Sequence, residues 1–126
     1  MALYVQTSGT LTTNSSSYTP IPGLSLALPE GVGVTAIVIL NLPNPYATGN
    51  SNPGGMFGIT VNGTLQPAVA SFTYNETNPP STGRIPTTLV VGVPLTTGAQ
   101  TAQAVWYGVR GSTVHLDTPA TLSVLL

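Results

Sequence analysis

The chain has 126 residues, of which 4% are charged, with two arginines, no lysine, one histidine, no cysteine and a formal net charge of -1. At that length one domain is expected, residues 1–126, large enough to bury a core without a disulfide or zinc staple. The composition excludes thiol catalysis and thiolate metal sites, lacks the basic footprint that nucleic acid requires, and offers no polybasic surface to a membrane.

About a quarter of an ordinary chain is charged, so solubility here rests on Ser, Thr, Asn and Gln. A low-charge surface also suits burial against identical neighbours. Plentiful aliphatics and the absence of charge runs argue against disorder. The N-terminus, Met1-Ala2-Leu3-Tyr4-Val5-Gln6, lacks the basic and long apolar regions of a leader. The strongest apolar run, Ala36 to Leu40, is too short to span a bilayer. The chain reads as soluble, whether whole or one domain of something longer.

Fourteen glycines and twelve prolines punctuate short segments rich in Val, Ile, Leu, Thr, Tyr and Phe, and no stretch offers a capped amphipathic helix. Leu3 to Gln6 and Thr10 to Thr13 form a first strand or hairpin, followed by a loop, Asn14 to Ser17. Ile21-Pro22-Gly23 predicts a turn into a short strand, Leu24 to Leu28, and Pro29-Glu30-Gly31 predicts another turn. Val34 to Asn41 is the most apolar strand, and its unbroken run predicts cover on both faces. Leu42 to Gly55, dense in Pro, Gly and Asn, predicts a long loop of the kind that often carries function. Met56 to Asn62 is a strand ending at an Asn62-Gly63 hairpin turn, with Pro67 to Tyr74 as its partner. Asn75 to Gly83 is a second polar loop. Strands at Pro86 to Val93, Thr101 to Val109, Val114 to Leu116 and Thr121 to Leu126 complete the chain. The apolar last strand must lie centrally or against a partner subunit. Roughly nine or ten strands at this spacing predict an all-β sandwich or jelly roll.

Three chemistries compete for the polar residues. His115 and Asp117 would share a strand face near Ser112, which resembles part of a catalytic triad, but no nucleophile elbow is present and a hydrogen-bonded strand histidine accounts for the same residues. Glu30, Glu76 and Asp117 are too scattered for a glycosidase pair or a charged calcium cage. Sequons at Asn14, Asn62 and Asn75 are expected by coincidence in a chain so rich in Asn and Thr. Neutral polyol binding fits better. Sugars need matched hydroxyl donors and acceptors beside an aromatic or aliphatic wall. Arg84, Arg110, Ser81, Thr82, Thr73, Tyr74 and Tyr46 supply these at strand ends and in loops, although a lone Tyr is often half-buried core and a lone Arg a solvated charge.

Several blocks in order carry a resemblance: Ile21-Pro22-Gly23-Leu24; Ile39-Leu40-Asn41 through Pro45-Tyr46-Ala47-Thr48-Gly49-Asn50; Phe72-Thr73-Tyr74; Ser81-Thr82-Gly83-Arg84; and Trp106 with Val109-Arg110-Gly111-Ser112, His115 and Asp117. From about Tyr18 to about Val124 the sequence resembles the fucose-binding, tumour-necrosis-factor-like lectin domain at the N-terminus of a Burkholderia superlectin. The resemblance implies a jelly-roll β-sandwich assembling as a homotrimer, with calcium-independent fucose sites between subunits, no cofactor and no catalysis. It implies that one subunit supplies Tyr46, Ser81, Thr82 and Arg84, and the neighbour Thr73, Tyr74 and Arg110. Met56 replaces a further site tyrosine, keeping an apolar contact but losing a phenol. Val69 and Pro80 replace two acidic residues near the site, which shifts the expected oligosaccharide preference. The partners so implied are fucosylated, blood-group-type glycans and the chain itself; a membrane would be met only through its glycoconjugates. The competing expectation is a structural jelly-roll trimer without a sugar site, with an enzyme a distant third.

Overall fold

Alternating apolar and polar residues, interrupted every few positions by proline or glycine, can bury one face of each segment only by pairing it into a sheet. The computed structural model, which describes residues 2–126, shows that outcome. Twelve strands follow one another: β1 (Ala2–Gln6), β2 (Leu11–Thr13), β3 (Thr19–Leu28), β4 (Thr35–Leu42), β5 (Tyr46–Thr48), β6 (Gly54–Val61), β7 (Thr64–Leu65), β8 (Ala70–Thr73), β9 (Thr87–Pro94), β10 (Gln100–Val109), β11 (Thr113–Leu116) and β12 (Thr121–Leu125). There is no helix among the described residues. One sheet runs β1-β12-β4-β9 and a second β3-β10-β6-β7, with β8 also on β6; a small third sheet runs β2-β11-β5. Every pairing is antiparallel. The arrangement is consistent with a β-sandwich.

The core lies between the two larger sheets. Val38, Leu40 and Leu42 of β4, Leu89, Val91 and Val93 of β9, and Leu122 and Val124 of β12 point inward from one side. Ile59 and Phe57 of β6 and Ala104 and Trp106 of β10 meet them from the other. Trp106 and Phe57 are register partners and both are buried. Truncating either to alanine would cost about 3–5 kcal/mol.

The structure corrects several local expectations. Ile21-Pro22-Gly23 is not a turn but lies within β3. Two prolines are tolerated there because β3 is an edge strand and carries a register shift opposite Gln103–Val105. The Gln103 side-chain amide fills the irregularity, donating toward the carbonyls of Leu24 (2.9 Å), Ala104 (2.8 Å) and Ile21 (3.3 Å). The expected loop from Leu42 to Gly55 contains β5, and its last two glycines begin β6. The partner of β6 is split into β7 and β8, which pair with successive parts of the same strand. β12 is central in its sheet, the first of the two placements its apolarity allowed. The apolar run of β4 nevertheless alternates, with Ile37 exposed on the outer face, so within the chain only one face is covered.

Glycines set the spacing where β6 meets β8 and where β10 turns into β11. A Cβ on Gly54 would collide with the Phe72 carbonyl oxygen and lie 2.9 Å from Thr73 Cα. A Cβ on Gly108 would collide with the Ser112 carbonyl. Since backbone cannot swing aside as a side chain can, Gly54→Ala should destabilise by about 3 kcal/mol, the upper part of the overpacking range. Gly98→Ala, whose nearest neighbour would be a hydroxyl at 3.8 Å, should stay within about 0.5 kcal/mol of wild type. Urea unfolding of both variants checks the contrast.

Candidate functional site

The small sheet and two loops gather most of the polar residues singled out above. β11 pairs β5 so that His115 stands opposite Tyr46 and Thr113 opposite Thr48. The His115 and Tyr46 rings stack, with centroids 4.5 Å apart and planes 7° from parallel. His115 Nε2 lies 2.9 Å from Thr48 Oγ1. Arg84 arrives from the irregular segment between β8 and β9 and sets its guanidinium carbon 4.1 Å from the Tyr46 ring centroid. Its Nη1 and Nη2 each donate to one oxygen of Asp117, both at 2.8 Å. Nη1 also approaches the Asn44 carbonyl at 3.4 Å.

The loop carrying Arg84 is anchored through its backbone. Tyr74 Oη donates to the Gly83 carbonyl at 2.6 Å and accepts from the Ala47 N–H at 3.4 Å. Ile85 N–H donates to the Pro45 carbonyl at 3.0 Å. Burial raises the Tyr74 phenol above its ordinary pKa, opposed by the Ala47 hydrogen bond and the Arg84 charge. The phenol therefore stays neutral and keeps its donor. The Asp117 hydrogen bonds hold the Arg84 guanidinium above its ordinary pKa, so it is a permanent cation.

Arg110 occupies the tight turn between β10 and β11, closed by Ser112 N–H to the Val109 carbonyl at 3.0 Å. Arg110 and Gly111 have φ of 50° and 72°, both in the left-handed region. The Asn62-Gly63 turn between β6 and β7 has the same pattern, 49° and 82°. Asparagine tolerates that conformation well, and arginine does so poorly. The strained arginine donates from Nε to the Ser51 carbonyl (2.8 Å) and, from Nε and Nη2, to the Asn52 carbonyl. Asn52 Nδ2 in turn donates to the Tyr74 carbonyl at 3.2 Å, which links this turn to the Arg84 loop through Tyr74. Beneath it, the buried Ser112 hydroxyl accepts from Gly54 N–H at 3.2 Å and shares its proton between the carbonyls of Val109 and Gly54.

Within one chain Tyr46, Tyr74 and Arg84 thus form one cluster, and Arg110 a second joined to it by Asn52. Ser81 and Thr73 are exposed and Thr82 is half-buried. Met56 stands apart on β6, half-buried and in register with Ser71 and Tyr107. Ser112, His115 and Asp117 make separate contacts rather than a relay: with Gly54 and Val109, with Thr48, and with Arg84. Sequence reasoning allowed His115 as a hydrogen-bonded strand histidine, which its contact with Thr48 bears out, but missed the place of His115 and Asp117 around Arg84 and Tyr46. Charge scarcity held the signal, since two arginines had only three acidic residues to choose from.

Each arginine has one edge tied to the chain and further N–H groups with no acceptor among the described residues. In Arg84 the Nη1–Nη2 edge is taken by Asp117 and the Nε–Nη2 edge meets no acceptor among the described residues. In Arg110 the Nε–Nη2 edge is taken by the loop carbonyls and Nη1 meets none among them. Such edges donate two parallel or adjacent N–H groups to oxygen.

A family model described as Bc2l-C, N-terminal domain matches residues 2–125, and the chain belongs to that family. The match extends the resemblance to both ends of the chain and makes this a lectin-type domain. Comparison with curated proteins gives no match.

Burial lowers the His115 pKa below its ordinary 6.5; Asp117 opposes the shift and Arg84 adds to it. Its neutral form is favoured in the fold, so the contribution to stability is complete above pH 6.5 and fades as pH falls from there through the lower folded value. Melting temperatures between pH 7.5 and 5 should therefore fall less steeply for His115→Gln than for wild type. At the strained turn, Arg110→Asn should be more stable than Arg110→Ala by about 1 kcal/mol, because both lose the loop contacts and only asparagine relieves the backbone; paired denaturant titrations measure the difference.

Proposed function

We propose that this member of the Bc2l-C N-terminal domain family is a calcium-independent lectin for L-fucose and fucosylated, blood-group-type glycans, with sites completed between neighbouring subunits of a homotrimer. The observation that carries the reading is the pair of half-used arginines. A chain with no other cation keeps both side chains pinned along one edge and free along another. One of them is held in a backbone conformation that arginine disfavours, and strain of that kind persists where a side chain is needed in place. Charge-assisted N–H donors bind neutral hydroxyl oxygens without a metal. Tyr74 offers an aromatic wall for a sugar's C–H face, Tyr46, its ring between His115 and Arg84, serves the site by holding Arg84, and Ser81, Thr82 and Thr73 lie on the same loops and strand end to complete hydroxyl matching.

The assignment of Tyr46, Ser81, Thr82 and Arg84 to one subunit and of Thr73, Tyr74 and Arg110 to its neighbour, with Met56 at the place of a further site tyrosine, rests on the family resemblance. Self-association is supported by the outer face of the β1-β12-β4-β9 sheet. Tyr4, Ile37, Val90 and Leu125 are 59%, 37%, 54% and 46% exposed there, and they fall in two adjacent cross-strand rows with Ile39 and Gly92. A largely apolar face of that kind, interrupted only by Ser123 between Tyr4 and Ile39 in these rows, marks an interaction surface. The division of strands between the two large sheets, with β4, β9 and β12 in one and β3, β6, β8 and β10 in the other, supports the jelly-roll reading. Three weak sites on one trimer would act by avidity on glycan-coated surfaces.

Met56 favours a second reading, a structural jelly-roll trimer without sugar binding, because the phenol of the family's site is missing there. Calorimetric titration with methyl α-L-fucoside in EDTA separates the two. Wild type should bind, Arg84→Ala should not, and Met56→Tyr should bind more tightly than wild type. Sedimentation should give three times the 12.8 kDa chain mass, falling on Val90→Glu. A folded trimer that gives no heat with fucoside, galactose or mannose, even as Met56→Tyr, leaves the structural reading standing.

A further inference from the structure

Arg84 sits in a segment with no regular structure between β8 and β9. Its backbone neighbours are anchored at Gly83 and Ile85, but those bonds do not aim a side chain with several free torsions. Two groups do, one on the small sheet and one immediately after its strand β11. Tyr46 on β5 lies under the guanidinium, and Asp117, just beyond β11, takes both end nitrogens at 2.8 Å. β5 and β11 are paired in register, so the wall and the carboxylate are fixed relative to each other. This is the one ion pair among the described residues.

Two consequences follow for a ligand. A side chain already held spends less conformational freedom when a ligand arrives. The edge left open, Nε–Nη2, presents two parallel N–H groups suited to two oxygens on neighbouring carbons. The second consequence is charge. An unpaired guanidinium fork matches a carboxylate better than any neutral group. With Asp117 on the adjoining edge, the pair carries no net charge, and an incoming carboxylate would sit beside a fixed one, which is repulsive.

We infer that Asp117 is the positioning residue for Arg84 and sets the preference of the Arg84 edge for neutral over anionic sugar groups. The inference rests on the reading of Arg84 as a sugar-binding group. Asp117 would act through Arg84 and need not touch the sugar itself. It is specificity by disfavouring the wrong ligand as much as by fitting the right one.

The experiment uses the full chain as wild type, Asp117→Asn and Asp117→Glu at pH 7.5. Each is titrated with methyl α-L-fucoside and with methyl glucuronoside as the carboxylate probe, and Arg84 Nε–H relaxation is recorded by NMR without sugar. Asp117→Asn should bind fucoside about three- to tenfold more weakly, as expected for one long side chain set free. It should gain glucuronoside binding that wild type lacks and show a mobile Arg84 Nε–H. Asp117→Glu, which restores the charge, should still reject glucuronoside and regain part of the fucoside affinity; a merely structural role would give no such rescue. Unchanged fucoside affinity in Asp117→Asn, with glucuronoside still rejected, overturns the inference. If wild type binds no fucoside, the lectin reading for fucose falls by itself. The glucuronoside and relaxation arms then decide the Asp117 inference alone: a gain of both in Asp117→Asn supports it, and no change in either overturns it. Should Asp117→Asn not fold, glucuronoside binding by Asp117→Glu overturns it and rejection with an ordered Arg84 supports it.

Discussion

The antiparallel ladder between β6 and β10 holds this protein together. Eight residue pairs run from Ala102–Val61 to Val109–Gly54, with Trp106 against Phe57 at the centre of the core. What lies beyond one end of that ladder is the candidate site. Gly54 is paired on one side with Val109 and on the other with Thr73, so the tight turn bearing Arg110 and the strand end bearing Tyr74 are set by one glycine. Pro53 and Asn52, just before it, accept from Tyr74 N–H and from Arg110 respectively. The site is therefore an extension of the most strongly packed part of the fold, held chiefly by backbone carbonyls and by the buried Ser112 hydroxyl.

Charge is used sparingly and locally. With only five formally charged side chains, two Lys+Arg and three Asp+Glu, the chain has no broad field to steer a ligand, which suits a neutral one. The arginines gain their reach from geometry. Asp117 and Tyr46 hold one and loop carbonyls hold the other, and in both the bonds use one edge of the guanidinium. The same economy leaves the outer face of the β1-β12-β4-β9 sheet with Tyr4, Ile37, Val90 and Leu125 uncovered, where a more highly charged protein would carry Lys or Glu. A sparsely charged surface thus leaves one sheet face apolar and two cations held locally by the chain itself.

Much of this was legible in the residues. The proline and glycine punctuation marked an all-β chain, the apolarity of β12 marked it as a strand to be covered, centrally or by a partner, and the Asn62-Gly63 pair marked its turn. The site motifs around Tyr46, Arg84 and Arg110 pointed to the right family. The misreadings have local causes. Ile21-Pro22-Gly23 looks like a turn to any propensity argument, but an edge strand asks less of its outward N–H groups, and Gln103 from another strand bonds to the carbonyls of Ile21 and Leu24. Tyr46 to Thr48 is only three residues long, too short to show a period. β4 looked covered on both faces because its Ile37 and Ile39 are apolar, whereas within the chain the sheet has a single inner side.

By itself the sequence determined the class of fold, the positions of most strands, the family and the scarcity of cations that singles out Arg84 and Arg110, because these follow from residue type and short-range pattern. Only the tertiary structure decided that Asp117 holds Arg84, that His115 stacks on Tyr46, and that Arg110 lies in a left-handed turn. Those contacts join residues 33 to 69 positions apart or depend on a backbone angle that no residue type dictates. Proximity of that kind is created by strand register, which the whole sheet fixes at once.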